Sequence, residues 1–187
     1  MNIAIDIDDT LTESFGYFQP FVAEYFSVGV EEVRRRNISY GNLPPEWKSK
    51  GVEFYRVYYD RVVPDTPFKP DAAWGVAELR KMGHRIVIIT GRSTAFYTDP
   101  YKTTAEELEK GGIVYDKLIC TLDKGCACRE EEIDILIDDL PANCDAAVKA
   151  GASAILFTSQ ANRDMETVYP RVSEWKNVIE IIRTSEH

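Results

Sequence analysis

Five short runs rich in Ile, Val and Leu, separated by segments with helical periodicity, constrain this fold more than any other feature of the chain. The runs are Asn2 to Asp8, Arg85 to Thr90, Leu118 to Leu122, Ile133 to Asp138 and Ser153 to Thr158, each of strand length. Between them, Ala72, Val76, Leu79 and Met82 recur at helical spacing and stop at Gly83. Thr104 and Glu107 read as the capping box of a helix ended by Gly111 and Gly112. Pro141 reads as the first-turn proline of a helix closed by Gly151, and residues 173–184 as a core-covering helix carrying Trp175, Val178, Ile181 and Ile182. Strands that alternate with helices need crossover connections, and crossovers cover both faces of a parallel sheet. The expected fold class is α/β, a doubly wound, Rossmann-like parallel sheet of about five strands.

One stretch breaks the alternation. Roughly fifty residues separate the first run from the helix at Ala72, far more than a strand-to-helix connection needs. Residues 15–68 hold 13 of the chain's 21 aromatics, enough to fill a small core of their own. Segments Tyr17 to Phe26 and Val52 to Val63 read as helices, with Asn42-Leu43-Pro44-Pro45 breaking the chain between them. The expected organisation is an α/β core from residues 1–14 and 69–187, with a small helical subdomain, 15–68, inserted after the first strand.

In open α/β sheets ligands bind at the carboxyl ends of the strands, so the residues where each run stops carry the chemistry. The first run stops at Asp6-Ile7-Asp8-Asp9-Thr10, the second at Thr90-Gly91-Arg92 and the fourth at Asp138-Asp139. Asp6 and Asp8 are two apart, which aims both side chains to one side of an extended chain. Carboxylates brought that close repel unless a cation or a shared proton intervenes, and an oxygen-rich pocket completed by Asp138 suits Mg2+. Thr90 offers a hydroxyl and Gly91 an open backbone amide to a phosphoryl oxygen, Arg92 reaches toward a substrate anion, and Lys124 neutralises charge after the third run. Carboxylates, Mg2+ and a lysine together fit phosphoryl transfer through an aspartyl-phosphate.

A formal net charge of −9 repels polyanions and argues against duplex nucleic acid as a partner. Arg34-Arg35-Arg36, beside Glu31-Glu32, reads as a solvated, salt-bridged helix face. The four cysteines match no secreted disulfide framework, and Cys120, Cys126 and Cys128 lack a nearby histidine to close a zinc site. No apolar run approaches the ~20 residues of a membrane span, so a cytoplasmic protein without membrane contact is expected.

The motifs resemble those of the haloacid-dehalogenase-like (HAD) phosphohydrolase superfamily. Asp6, Asp8 and Thr10 match its Asp-x-Asp-x-Thr signature, Thr90 its Ser/Thr motif, and Asp138-Asp139 its terminal acidic motif. The resemblance implies that Asp6 is the nucleophile and Asp8 the general acid/base. It implies Mg2+ held by Asp6, the backbone carbonyl of Asp8, and Asp138, with Asp139 an outer or additional metal contact. For the lysine, Lys124 is preferred to Lys117, because Lys124 follows the third strand. Since the second aspartate is present, phosphate ester hydrolysis is expected rather than dehalogenation, and the insertion resembles the family's cap.

Among capped members the chain is most similar to the 5'(3')-deoxyribonucleotidase group, in its short cap and its Asp-Asp-Leu-Pro sequence at 138–141; it differs at Asp9-Thr10, where Gly-Val is usual. The expected substrate is a small phosphate monoester, a nucleoside or deoxynucleoside monophosphate stacked on Tyr17 and Phe18, with a sugar phosphate or phosphoglycolate as the alternative. Readings from other classes are a receiver-like signalling domain and a non-catalytic phosphate-binding protein. A receiver needs an acceptor aspartate ending its third strand and has no room for 15–68.

Overall fold

The computed structural model describes residues 1–185. Six strands, β1 (Asn2–Ile5), β2 (Arg85–Thr90), β3 (Lys117–Cys120), β4 (Ile135–Asp138), β5 (Ser153–Phe157) and β6 (Arg171–Val172), form one parallel sheet in the order β3-β2-β1-β4-β5-β6. The sixth strand is a correction to the expected five. It has only two residues, so no apolar run marks it.

Alternation along each strand sorts side chains between two covered faces. Ile3, Ile5, Ile86, Ile88, Ile135 and Ile137 pack with Val76 and Leu79 of α4 (Ala72–Lys81) and with Trp175, Val178 and Ile182 of α8 (Trp175–Ser185). Ala4, Val87, Ile89 and Leu136 point the other way, onto α6 (Lys124–Glu130) and α7 (Pro141–Lys149). Two buried faces explain why the strands read as continuous apolar runs. Helix α4 lies so close to α8 that a Cβ on Gly75 would stand 2.6 Å from Trp175.

α5 spans Pro100–Lys110 and begins four residues before Thr104. Asp99 accepts from the Lys102 amide at 3.0 Å and Pro100 takes the first turn, so this Asp-Pro pair caps the helix. Thr104 and Glu107, expected to start it, lie in its interior and are buried.

The first strand ends sooner than expected, because the Ile7 carbonyl accepts from the amides of Thr10, Leu11 and Thr12 and curls the chain into a turn. Asp9 takes the left-handed conformation there, φ 62°, a region Asp tolerates better than most residues. The chain then enters α1 (Ser14–Phe26), α2 (Val30–Arg35) and α3 (Gly51–Val62), with short 3-10 turns at 40–42, 48–50 and 63–65. Phe18, Val22, Val33, Phe54, Tyr58 and Val62 make an apolar centre separate from the sheet's. The entering and returning segments pair with each other: the Glu13 amide donates to Pro67 and the Lys69 amide to Leu11, each at 2.8 Å. Side-chain clasps join the insert to the sheet domain, among them Asn37 with Gln160, Asp60 with Thr98 and Asp65 with Lys110. Among the described residues no helix is long and apolar enough to cross a membrane.

Candidate active site

The ends of β1, β2 and β4 converge beneath the insert on a cavity of about 440 Å3. Asp6, Asp8, Lys124 and Asp139 line it from the sheet domain, with Gly91 and Arg92 beside them. Asp138 lies just behind, fully buried.

Lys124 opens α6, and its ammonium donates to Asp6 Oδ1 at 2.5 Å and to Asp138 Oδ2 at 2.6 Å. Lys117 lies elsewhere, on the exposed side of β3, paired with Glu131. Lys124 is only 4% exposed; burial opposes its charge, but Asp138 and Asp6 raise its pKa and hold it cationic. Asp138 is fixed further by the Leu140 amide and by Asn143 in the first turn of α7, each 2.9 Å from Oδ1. Sequence reasoning missed Asn143; its place two residues past Pro141 is the one signal for it.

Burial pushes the Asp6 carboxyl up to about 7, with Asp138 and Asp8 adding to the push against the pull of Lys124. Burial also lifts Asp139, helped by Asp9, Asp138 and Asp6. Such a cluster holds more negative charge than Lys124 alone offsets. Among the described residues it is the one group of carboxylates, thiols or imidazoles spaced for a cation, with oxygens of Asp6, Asp138 and Asp139 within 4.8 Å of one another. All its donors are hard oxygens, which fits Mg2+ and excludes a thiolate-type zinc site.

Asp8 has different surroundings. Its Oδ1 accepts from Ser14 Oγ at 3.0 Å and Arg92 Nη2 at 3.1 Å, and its Oδ2 from Arg92 Nε at 3.2 Å. Burial alone would raise this carboxyl, but Arg92 and the Ser14 bond bring it below the usual range. Arg92, expected to reach a substrate anion, is thus committed to Asp8 and, behind it, to Thr104 and Glu107. Thr90 is fully buried at the end of β2, and its hydroxyl has no protein partner among the described residues.

The insert supplies the opposite wall. Phe18, Tyr40 and Tyr59 line the cavity, joined by Phe96 and Tyr97 from the segment after β2. Tyr17, expected beside Phe18, faces instead a second cavity with Glu13, Lys69 and Gln160. Adjacent residues on a helix point about 100° apart, so the two rings could not share one surface. Tyr40 also donates to Asp9 Oδ2 at 3.2 Å, tying the insert to the turn that carries the aspartates.

A family model described as 5' nucleotidase, deoxy (pyrimidine), cytosolic type C protein matches residues 1–186. The chain belongs to this 5'-nucleotidase family. The protein is therefore a hydrolase of phosphate esters. No curated protein matches it. Solved structures share its fold at low identity. A HAD family hydrolase from Deinococcus radiodurans with bound phosphate and sodium is 12% identical, with a TM-score of 0.66, covering 99% of this chain and 96% of that one. A predicted phosphoglycolate phosphatase from Haemophilus somnus is 12% identical, with a TM-score of 0.67 and 97% of each chain covered. A D,D-heptose 1,7-bisphosphate phosphatase from B. bronchiseptica, complexed with magnesium and phosphate, is 13% identical, with a TM-score of 0.55 and 99% of each chain covered.

Proposed function

We propose that this protein hydrolyses nucleoside or deoxynucleoside monophosphates, with Mg2+, through an aspartyl-phosphate on Asp6. The observation that carries the reading is one cavity with two unlike walls: aspartates and Lys124 on the sheet side, and on the other Phe18, Tyr40, Tyr59, Phe96 and Tyr97. A volume of about 440 Å3 suits a small molecule, for which sites run to about 300–1,000 Å3. The phosphate belongs against the carboxylates and the flat ring against the aromatics.

An oxygen of Asp6 attacks phosphorus while the ester P–O bond breaks; Asp8, whose carboxyl lies below the usual range in the free protein, takes up a proton from solvent once the phosphate dianion sits beside it and passes that proton to the departing alkoxide oxygen. Water then attacks the aspartyl-phosphate, Asp8 takes the proton back, and the P–O bond to Asp6 breaks to release phosphate. Lys124 holds Asp6 in place and offsets its charge. Thr90 and the Gly91 amide supply donors to the phosphoryl oxygens. Side chains of Asp6, Asp138 and Asp139, with the Asp8 carbonyl, form the set that would hold Mg2+, which when bound offsets the negative charge of the phosphoryl oxygens. The insert 15–68 acts as a cap that keeps bulk water from the intermediate. The four cysteines are free thiols, which supports the cytoplasm as its compartment.

The test is kcat/KM with Mg2+ over nucleoside monophosphates, sugar phosphates and phosphoglycolate. Nucleoside monophosphates are expected to lead. If ring-free phosphates are hydrolysed better than all of them, the substrate assignment is wrong and the phosphatase chemistry stands.

A further inference from the structure

Arg92 is 2% exposed and Glu107 is wholly buried, so this pair is shielded from bulk solvent. The guanidinium is used on both sides. Nε and Nη2 grip the two oxygens of Asp8, and Nη1 donates to Glu107 Oε2 and to Thr104 Oγ1, the latter at 3.2 Å. Thr104 and Glu107 are one turn apart on α5, so a whole helix braces the far side of the fork. On the near side Ser14, itself 2.7 Å from the Thr12 hydroxyl, adds a further donor to Asp8 Oδ1. Oδ1 then accepts two hydrogen bonds and Oδ2 one, which leaves Oδ2 with acceptor capacity to spare.

Stability gives little reason to keep such an arrangement. A buried ion network is often no more stabilising than apolar residues of the same volume, and the Asp8 it reaches is 24% exposed at the cavity. A two-point grip does what a single charge does not: it fixes the plane of the carboxylate. We propose that Arg92, braced by Glu107 and Thr104, is a positioning residue that holds the Asp8 carboxylate in the orientation needed for proton transfer, presenting Oδ2, and that it does not bind the substrate phosphate. This rests on the reading of Asp8 as the general acid/base.

The experiment compares Arg92→Lys and Glu107→Gln with Asp8→Asn on two substrates in pre-steady state. A nucleoside 5'-monophosphate has a poor leaving group that needs a proton; p-nitrophenyl phosphate has a good one that does not. For the nucleotide, Arg92→Lys is expected to lower kcat about 10²-fold with KM within threefold, in the range of lost general acid catalysis. For p-nitrophenyl phosphate, the burst of p-nitrophenol should keep its rate within threefold. Steady-state turnover then falls, because hydrolysis of the phosphoenzyme still needs Asp8. Glu107→Gln, which preserves shape, should show the same pattern more weakly, and carries the test if Arg92→Lys does not fold. On the Asp8→Asn background either change should cost nothing more.

A raised KM for both substrates would mean that Arg92 binds phosphate, and equal losses in burst and turnover would mean a merely structural role; each overturns the proposal. If Asp8→Asn itself slows the burst and the nucleotide equally, the reading of Asp8 fails. If Asp8→Asn discriminates and the other two variants do not, Arg92 alone is misassigned.

Discussion

The ammonium of Lys124 lies 2.5 Å from Asp6 Oδ1 and holds that carboxylate at the end of β1, while its second bond, 2.6 Å to Asp138 Oδ2, ties β1 to β4. One side chain therefore both fixes the Asp6 carboxylate and offsets the charge of two buried acids.

Replacing it with an uncharged residue of similar shape, Lys124→Met, leaves those acids without their cation. Loss of one partner from a buried ion pair costs about 3–5 kcal/mol, and urea unfolding in EDTA should show a loss of that order. Mg2+ should restore part of it, because a cation that binds only the folded state stabilises it. A midpoint that does not move in EDTA would refute the electrostatic role given to Lys124.

Chelation is expected to abolish turnover of the unaltered protein. Asp6, Asp138 and Asp139 place their oxygens within 4.8 Å of one another, and a phosphate dianion approaching them meets repulsion that Lys124 alone does not cancel. Ca2+ should support activity poorly, since its longer bonds and looser shell misplace the reacting groups. Full activity in excess EDTA would contradict the Mg2+ assignment.

The two aspartates of the first motif should separate cleanly. Asp6→Asn removes the attacking oxygen, so no acid-stable phosphoenzyme signal and no turnover are expected. Asp8→Asn should still bind phosphate monoesters, with turnover of alkyl phosphates slowed about 10²–10⁴-fold. Rapid-quench measurement of phosphoenzyme checks both, and normal turnover by Asp6→Asn would remove it as nucleophile.

Strand ends were legible because a parallel sheet puts the residue after each apolar run at a known edge: Asp6, Thr90 and Asp138 needed no knowledge of side-chain contacts. The contacts of Arg92 were not legible, for the opposite reason. Its position after Thr90-Gly91 is local, but its partners stand 84 residues away at Asp8 and 15 away at Glu107, and no periodicity encodes them. Thr104 and Glu107 carry a capping-box spacing, yet the Asp99-Pro100 pair upstream is the stronger start. In the insert the difficulty is surplus: rings lie on several sides of α1 and α3, so composition reveals an aromatic subdomain without revealing which rings face the cavity. Gly75, unremarkable in the sequence, is fixed only by where Trp175 comes to rest.

That close approach is itself testable. Gly75→Ala adds a methyl group where Trp175 stands 2.6 Å away, and α4 and α8 cannot separate without opening the core beneath them. Overpacking of this kind costs about 1–3 kcal/mol, against the roughly 1 kcal/mol that alanine gains over glycine in a helix. Denaturant unfolding should show a net loss with kcat/KM unchanged. A more stable variant would show that the interface yields.

The rings that do face the cavity differ from those buried in the insert in what their loss should do to substrate. Tyr59 lines it and is flanked by other rings, its centroid 5.0 Å from those of Tyr55 and Tyr97. Base stacking on an aromatic contributes roughly 1–3 kcal/mol, so Tyr59→Ala should raise KM for nucleoside monophosphates about 5- to 150-fold. A ring-free phosphate has nothing to lose there, and its kcat/KM should stay within twofold. Tyr17→Ala is the internal control, because Tyr17 lines the other cavity and should affect neither substrate. Equal losses for ring-bearing and ring-free phosphates in Tyr59→Ala would place the ring in cap structure alone, and selective loss in Tyr17→Ala would move the base to the wrong side of Phe15 for this cavity.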